Sequence, residues 1–296
     1  MARTIICNTS NVITLDEYID HVTTHVDLLD QDSIAESAPM LRALANDREL
    51  VVRQLNAQIK RFFRGDTFPS AQAVFLGMGT NFYVRANLWP SSADVANGRV
   101  YQEQFAYHIA HDHNYNFMTV GYHGPGYVTD IYEYDRDKVE GYIGEPVEFR
   151  YLETVHFKTG MIMQYRASVD MHIQYPPDDL SISLNLMVST PDVRTRDQYF
   201  FDADKRTLMR FPHELDGSRR ISLVELAGYT GNAESVELLQ GIAQRHPCRR
   251  TRLTALEAME RLIPADAERI WAAACDDHEK LVSRTARERM DQLAAG

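Results

Sequence analysis

HIAHDHNYNFMTVGYHGPGYVTDIYEYD, residues 108–135, is the stretch on which the fold turns. Side chains two positions apart on an extended chain share a face, so His111 and His113 present both imidazoles to one side. Imidazole is the commonest protein ligand for iron, copper, nickel and zinc, and two on one face make a bidentate clamp. Beyond the pair, residues 117–122 and 127–134 read as strands, with Gly124-Pro125-Gly126 turning the chain between them.

Similar short runs occur at 81–89, 147–152, 161–165 and 181–188, with turn-forming residues at 141–146, 176–179 and 190–191. Many short strands with Gly/Pro turns predict a sandwich or barrel. In 81–89, Phe82, Val84, Ala86 and Leu88 alternate with Asn81, Tyr83, Arg85 and Asn87. A third metal ligand has to come from a distant strand that barrel closure brings alongside. His172, ahead of a proline turn and a final apolar strand, fits that place. His108 and His123 are its rivals, but histidines on a single hairpin cannot enclose an ion as strands from two sides can. His156 reads as a solvated strand residue.

The H-x-H of His111 and His113, the following FMTVGYHGPGY, and the single later His172 resemble the two motifs of the cupin superfamily. That resemblance implies a double-stranded β-helix barrel, roughly Phe75 to Val188, holding one transition-metal ion. Many cupins carry a glutamate four or five residues after the second histidine; here Phe117 and Met118 occupy that neighbourhood. The pattern is therefore similar to three-histidine, thiol-dioxygenase-like cupins, unless Asp130, Glu133 or Gln174 fills the gap. No suitably placed H-x-D or H-x-E precedes a distal histidine, as the related 2-oxoglutarate oxygenases require.

The resemblance implies Fe(II), with other divalent transition metals open, in a mononuclear non-haem oxygenase or dioxygenase. Its substrates would be molecular oxygen and a small polar molecule such as an amino acid or derivative. Two alternatives stay open: a non-oxidative metal-dependent cupin (isomerase, lyase or hydrolase), and a ligand-sensing cupin with a helical protein-interaction region. Three neutral imidazoles leave the ion its full charge, which favours an anionic, chelating substrate. Arg85 offers a bidentate fork to a carboxylate, and Arg166 shares that reading. Tyr127 is a further candidate for substrate binding. Asp170 and Gln174, two residues either side of His172, are candidates for orienting imidazoles or touching substrate. Tyr115, like Tyr127 and Tyr132, could donate to a bound oxygen species.

The expected class is thus α+β: a cupin-type barrel (67–215) flanked by an N-terminal helical segment packed on it (1–66) and a C-terminal HEAT-like helical region (218–296). Thr14 with Glu17 three residues on predicts a capping box. Val22, Val26, Leu29, Leu41, Leu44, Leu50, Val51 and Leu55 supply the apolar stripe, and 60–64 close it with positive charge before Gly65. In the third zone, Ala255, Met259 and Leu262 recur 31 positions later as Ala286, Met290 and Leu293, an echo of paired helical repeats. A homodimer or a protein partner would use these helices. The net charge of −11 argues against nucleic acid and anionic membrane as partners. No run approaches the roughly 20 apolar residues of a membrane span. Cys7, Cys248 and Cys275 form no C-x-x-C pair, and the expected location is cytoplasmic.

Overall fold

The computed structural model describes residues 2–62, 72–100, 102–212 and 216–295. The chain divides into two compact units, one of Met1–Tyr134 with Glu148–Pro191, the other of Asp135–Val147 with Asp192–Gly296. The compositional zones run across this division, since 135–147 and 192–212 group with the C-terminal helices. The expected helix end at Arg64 and Gly65 lies outside the described residues, as do the zone boundaries at 66–67 and 215.

The first unit opens with β1 (Arg3–Ile5) and four helices: α1 (Leu15–His25), α2 (Gln31–Glu36), α3 (Ala38–Ala45) and α4 (Leu50–Phe62). The capping box forms as read: Thr14 Oγ1 accepts from Glu17 N at 3.2 Å, and Glu17 Oε2 accepts from Thr14 N at 2.7 Å. Leu29 departs from the expected stripe. The first helix ends at His25, leaving Leu29 in a turn and 73% exposed.

Ten strands follow or flank these helices: β1, then β2 (Ala73–Gly79), β3 (Phe82–Trp89), β4 (Ala110–Asp112), β5 (Phe117–His123), β6 (Tyr127–Tyr134), β7 (Phe149–Phe157), β8 (Ile162–Tyr165), β9 (Asp170–Gln174) and β10 (Ser181–Val188), with α5 (Ser92–Ala96) after β3. One antiparallel sheet has the order β1-β8-β5-β10-β3-β2, and β4-β9-β6-β7 are neighbours in another. From β3 to β10 the chain therefore visits the sheets in the order first, second, first, second, second, first, second, first. That is the double Greek key of a jelly roll, the architecture to which cupins belong. The β5–β6 turn depends on glycine: Gly126 has φ +85°, and a Cβ there would stand 1.9 Å from the Phe157 carbonyl oxygen.

Strand alternation separates two cores. Val84, Ala86, Met118, Val120, Leu184 and Leu186 point outward and pack against Tyr18, Val22, Ile34, Leu41, Leu44 and Leu50 of the N-terminal helices. Their neighbours point inward. The face of β3 that carries Arg85 is consequently the barrel interior, because helices cover the opposite one.

The second unit holds the hairpin β11 (Phe200–Asp202) and β12 (Thr207–Arg210), then α6 (Asp216–Thr230), α7 (Ala233–Arg245), α8 (Arg249–Leu262), α9 (Ala267–Ala272) and α10 (Lys280–Ala295). Ala255, Met259, Trp271, Val282 and Ala286 form its core, with Leu262, Met290 and Leu293 packed at the margin. Arg250 pairs with Asp197 at 2.7 Å, and Arg252 pairs with Asp277.

Candidate metal centre

Antiparallel pairing of β4 with β9 sets His111 directly opposite His172, which is how a residue far along the chain reaches the H-x-H pair. Asp112, between the two histidines, points the other way and accepts a hydrogen bond from Tyr134 at 2.7 Å. His113 follows the end of β4, where its carbonyl accepts from Ser168 N at 2.7 Å.

The three rings converge through the same nitrogen. His172 Nε2 lies 2.9 Å from His111 Nε2 and 3.2 Å from His113 Nε2. One ligand nitrogen from each ring lies within 4.8 Å of the others, and among the described residues this is the cluster with a metal-binding arrangement. Nitrogens that share an ion through bonds of about 2.1 Å stand about 3.0 Å apart at right angles and no more than about 4.2 Å when opposed. Two of the three pairs already have the right-angle spacing.

The proton inventory points the same way. His111 Nδ1 is 2.9 Å from the Ile109 carbonyl, which can only accept, so Nδ1 carries the proton and Nε2 a lone pair. Burial holds His113 and His172 well below the ordinary imidazole range, and the nearness of His111 to both rings, of Arg85 to His113 and of His113 to His172 acts in the same direction by disfavouring a further positive charge. Neutral imidazole has one N–H, so His172 Nε2 cannot serve both neighbours as donor. A cation among three lone pairs resolves that conflict, and the residues fit a divalent transition metal.

Aromatic rings wall the cluster. Phe117 stands 4.9 Å from the His113 ring and stacks on Tyr165 at 4.5 Å, while Tyr165 is 5.0 Å from the His172 ring. Tyr115 lies 5.0 Å from the His113 ring and close to Arg85. Burial raises the pKa of its phenol, as it does for Tyr127, so both remain O–H donors. Tyr127 packs on Trp89 at 4.7 Å and lies beside Gln174.

Other residues singled out in the sequence are placed elsewhere. Arg166 donates to Asp170 through Nη2 at 2.6 Å and to Glu133 at 3.2 Å. These three form an ion cluster at the start of β9, so the Arg166 fork is filled by protein carboxylates. Asp130 accepts from Tyr175 at 2.6 Å, and Glu133 is engaged by Arg150 and Arg166. Neither carboxylate joins the imidazoles. His108, His123 and His156 are exposed, which removes both rivals of His172.

Sequence reasoning missed the polar lining of β3, β5 and β10: Asn87, Thr119, Ser183 and Asn185 are all buried. Polar residues alternating with Ile182, Leu184 and Leu186 read as a solvent face. Only closure of the barrel turns that face inward.

No protein-family profile matches the chain, and no curated protein matches it. Among solved structures, a DMSP lyase structure is 10% identical over 40% of this chain, with a TM-score of 0.24. The match spans 47% of that lyase's length. Hydroquinone 1,2-dioxygenase from Sphingomonas sp. TTNP3 is 9% identical over 42% of this chain and 68% of its own, at a TM-score of 0.26. A cupin domain from Bordetella pertussis Tohama I is 13% identical over 43% of this chain and all of its own, at 0.22. The jelly-roll order of this chain's own strands, not these likenesses, carries the architecture.

Proposed function

We propose that the chain is a mononuclear non-haem iron oxygenase or dioxygenase of the three-histidine cupin type, acting on a small polar molecule such as an amino acid or derivative. The observation that supports it is the convergence of His111, His113 and His172 through Nε2 inside the barrel. Ferrous iron held there would supply open coordination positions and redox chemistry toward dioxygen. The Ile109 carbonyl orients His111, and burial keeps His113 and His172 unprotonated and able to bind metal. Phe117 and Tyr165 exclude water from one side. Arg85 attracts an anionic substrate, and Tyr115 beside it offers an O–H donor at the reacting end. Gln174 and Tyr127 close the far side. Asp170 and Arg166, spent on each other, hold the start of β9 and are not assigned to substrate.

Metal analysis of protein purified without added metal is expected to find one iron per chain, with iron-dependent oxygen uptake once substrate is present. Absence of both would sink the proposal. A redox-silent metal with anaerobic turnover would select the isomerase, lyase or hydrolase reading. The HEAT-like reading of the C-terminal helices belongs to the same proposal, supported by burial of Ala255, Met259 and Ala286 in one core. No helix among the described residues is long and apolar enough to cross a membrane.

A further inference from the structure

Trp89, Ser183 and Asn185 form a one-way hydrogen-bond chain. An indole N–H can only donate, and Trp89 Nε1 donates to Ser183 Oγ at 3.0 Å. The serine proton then goes to Asn185 Oδ1 at 3.3 Å. In this arrangement the carboxamide oxygen takes the serine bond and the Nδ2 hydrogens are left free. Nδ2 is buried without a partner, on a side chain only 3% exposed.

Its neighbours share the condition. Asn185 stands opposite Arg85 on β3 and opposite Thr119 on β5, so the three make one row across the inward face. Arg85 Nε and Thr119 Oγ1 are also buried without partners. One step along, Asn87 faces Ser183, and its Oδ1 is buried and unmatched. In the other direction the next row is Tyr83, Met187 and Phe117, whose ring lies against His113. The polar row is therefore one pleat repeat, roughly 7 Å, from the row whose Phe117 ring lies against His113.

Natural interiors pair their buried polar groups, and a cluster left unpaired on the wall of a barrel calls for a ligand. The unspent groups here are two donors (Arg85 Nε and Asn185 Nδ2), one acceptor (Asn87 Oδ1) and one hydroxyl that serves either way. A guanidinium beside an amide donor suits a carboxylate. An acceptor one step away suits a hydrogen-bond donor on the ligand's adjacent carbon.

We propose that Arg85, Asn185 and Thr119, with Asn87, form the recognition surface for a small carboxylate bearing a hydroxyl or amino group next to the carboxyl. The assignment rests on the metal-enzyme reading in taking this row as the substrate face of that site. Asn185 holds the carboxylate, with Trp89 and Ser183 positioning it, and Asn87 sets the preference for the adjacent group.

Propionate, L-lactate and L-alanine differ only in the group beside the carboxyl and make a clean probe series. Each is titrated calorimetrically into the full chain, both metal-free and loaded anaerobically with ferrous iron. Lactate or alanine is expected to bind at least about tenfold more tightly than propionate, a difference of about 1.4 kcal/mol. Asn87→Leu should erase that preference, bringing lactate and alanine down to the affinity of propionate. Asn185→Leu should weaken all three ligands by about tenfold at unaltered iron content. Asn185→Asp keeps the shape and the bond from Ser183 while turning the donor into an acceptor, and should weaken them further. Equal affinities across the series, no saturable binding of any member, or unchanged affinities in the Asn185 variants would overturn the assignment. If the chain takes up no metal yet keeps the ligand order, the oxygenase reading fails and this one stands. Iron uptake without the order does the reverse.

Discussion

Buried charged and polar groups meet different company in the two units. In the C-terminal unit arginines meet the buried or half-buried carboxylates, Arg252 on Asp277, Arg250 on Asp197 and the half-buried Arg289 on Glu260, which also accepts from Trp271 at 2.9 Å, while Arg220 Nη2 is buried without a partner. Inside the jelly roll, Arg85 Nε, Asn87 Oδ1, Thr119 Oγ1, Asn185 Nδ2 and the Nδ1 atoms of His113 and His172 are buried with no such match. A paired charge stabilises a fold and leaves nothing over for chemistry. An unpaired one weakens the fold by about 1–3 kcal/mol and keeps its hydrogen-bonding capacity for something that arrives later. Single unmatched atoms occur elsewhere, as at Arg220, Tyr18 and Gln164; what marks the barrel interior is their gathering in neighbouring positions on one inward face.

The sharpest way to break that contrast is at the imidazoles. His172→Ala removes the ring that touches both others and should abolish stoichiometric metal binding by elemental analysis. Activity should fall by about 100-fold or more, since losing even an outer partner of a metal ligand costs about 10–100-fold. Retention of full metal content would mean that the three rings are not the site. In the other unit, Arg252→Ala strands Asp277, whose side chain is 7% exposed. Removing one partner of a buried pair costs about 3–5 kcal/mol, which a urea titration should show as a lowered unfolding midpoint. Replacing both partners with apolar residues should cost much less.

How much of this was legible in the sequence depended on whether the signal was local. The capping box of Thr14 and Glu17, the turn at Gly124–Gly126 and the shared face of His111 and His113 follow from neighbours in the chain, and each is found in place. Choosing His172 over His108 and His123 needed one argument about closure, and the β4–β9 register supplies the closure. Arg166 reads as available from the sequence because the carboxylates that engage it are not all its neighbours in the chain. Asp170 is four residues away, but Glu133 arrives from a different strand. The row of Arg85, Asn185 and Thr119 was hidden for a deeper reason. Period two separates the faces of a strand and does not say which face is inside. Outward apolar and inward polar, the first sheet inverts the usual assumption, because helices α1–α4 cover the outward side.

Acid sharpens the comparison without mutation. Burial depresses the folded-state pKa of His113 and His172, whereas in the unfolded chain both titrate near the usual value of about 6.5. Their contribution to stability is thus complete above about pH 6.5 and is lost as the pH falls from there toward the folded-state values. Each ring adds at most about 1.4 kcal/mol per pH unit to the slope. Urea midpoints of the metal-free protein should fall between about pH 7 and pH 5.5. They should fall less steeply in His172→Leu, which lacks one of the two rings. Equal slopes would place the acid sensitivity elsewhere.

The smallest effect is the most discriminating. Thr119→Val exchanges a buried hydroxyl for a methyl of nearly the same volume, at a site 2% exposed where the hydroxyl has no partner. If that oxygen were part of the architecture, its loss would cost the roughly 1 kcal/mol of a hydrogen bond. As an unspent group it costs the fold something to bury, so the valine variant should melt at the same temperature or slightly higher, by calorimetry. Ligand affinity at the row should fall in the same protein. Stability unchanged or improved while binding declines is the trade expected where a fold keeps a group for function. A clear loss of stability would instead mean that Thr119 has a protein partner, and the contrast between the units would narrow to the imidazoles.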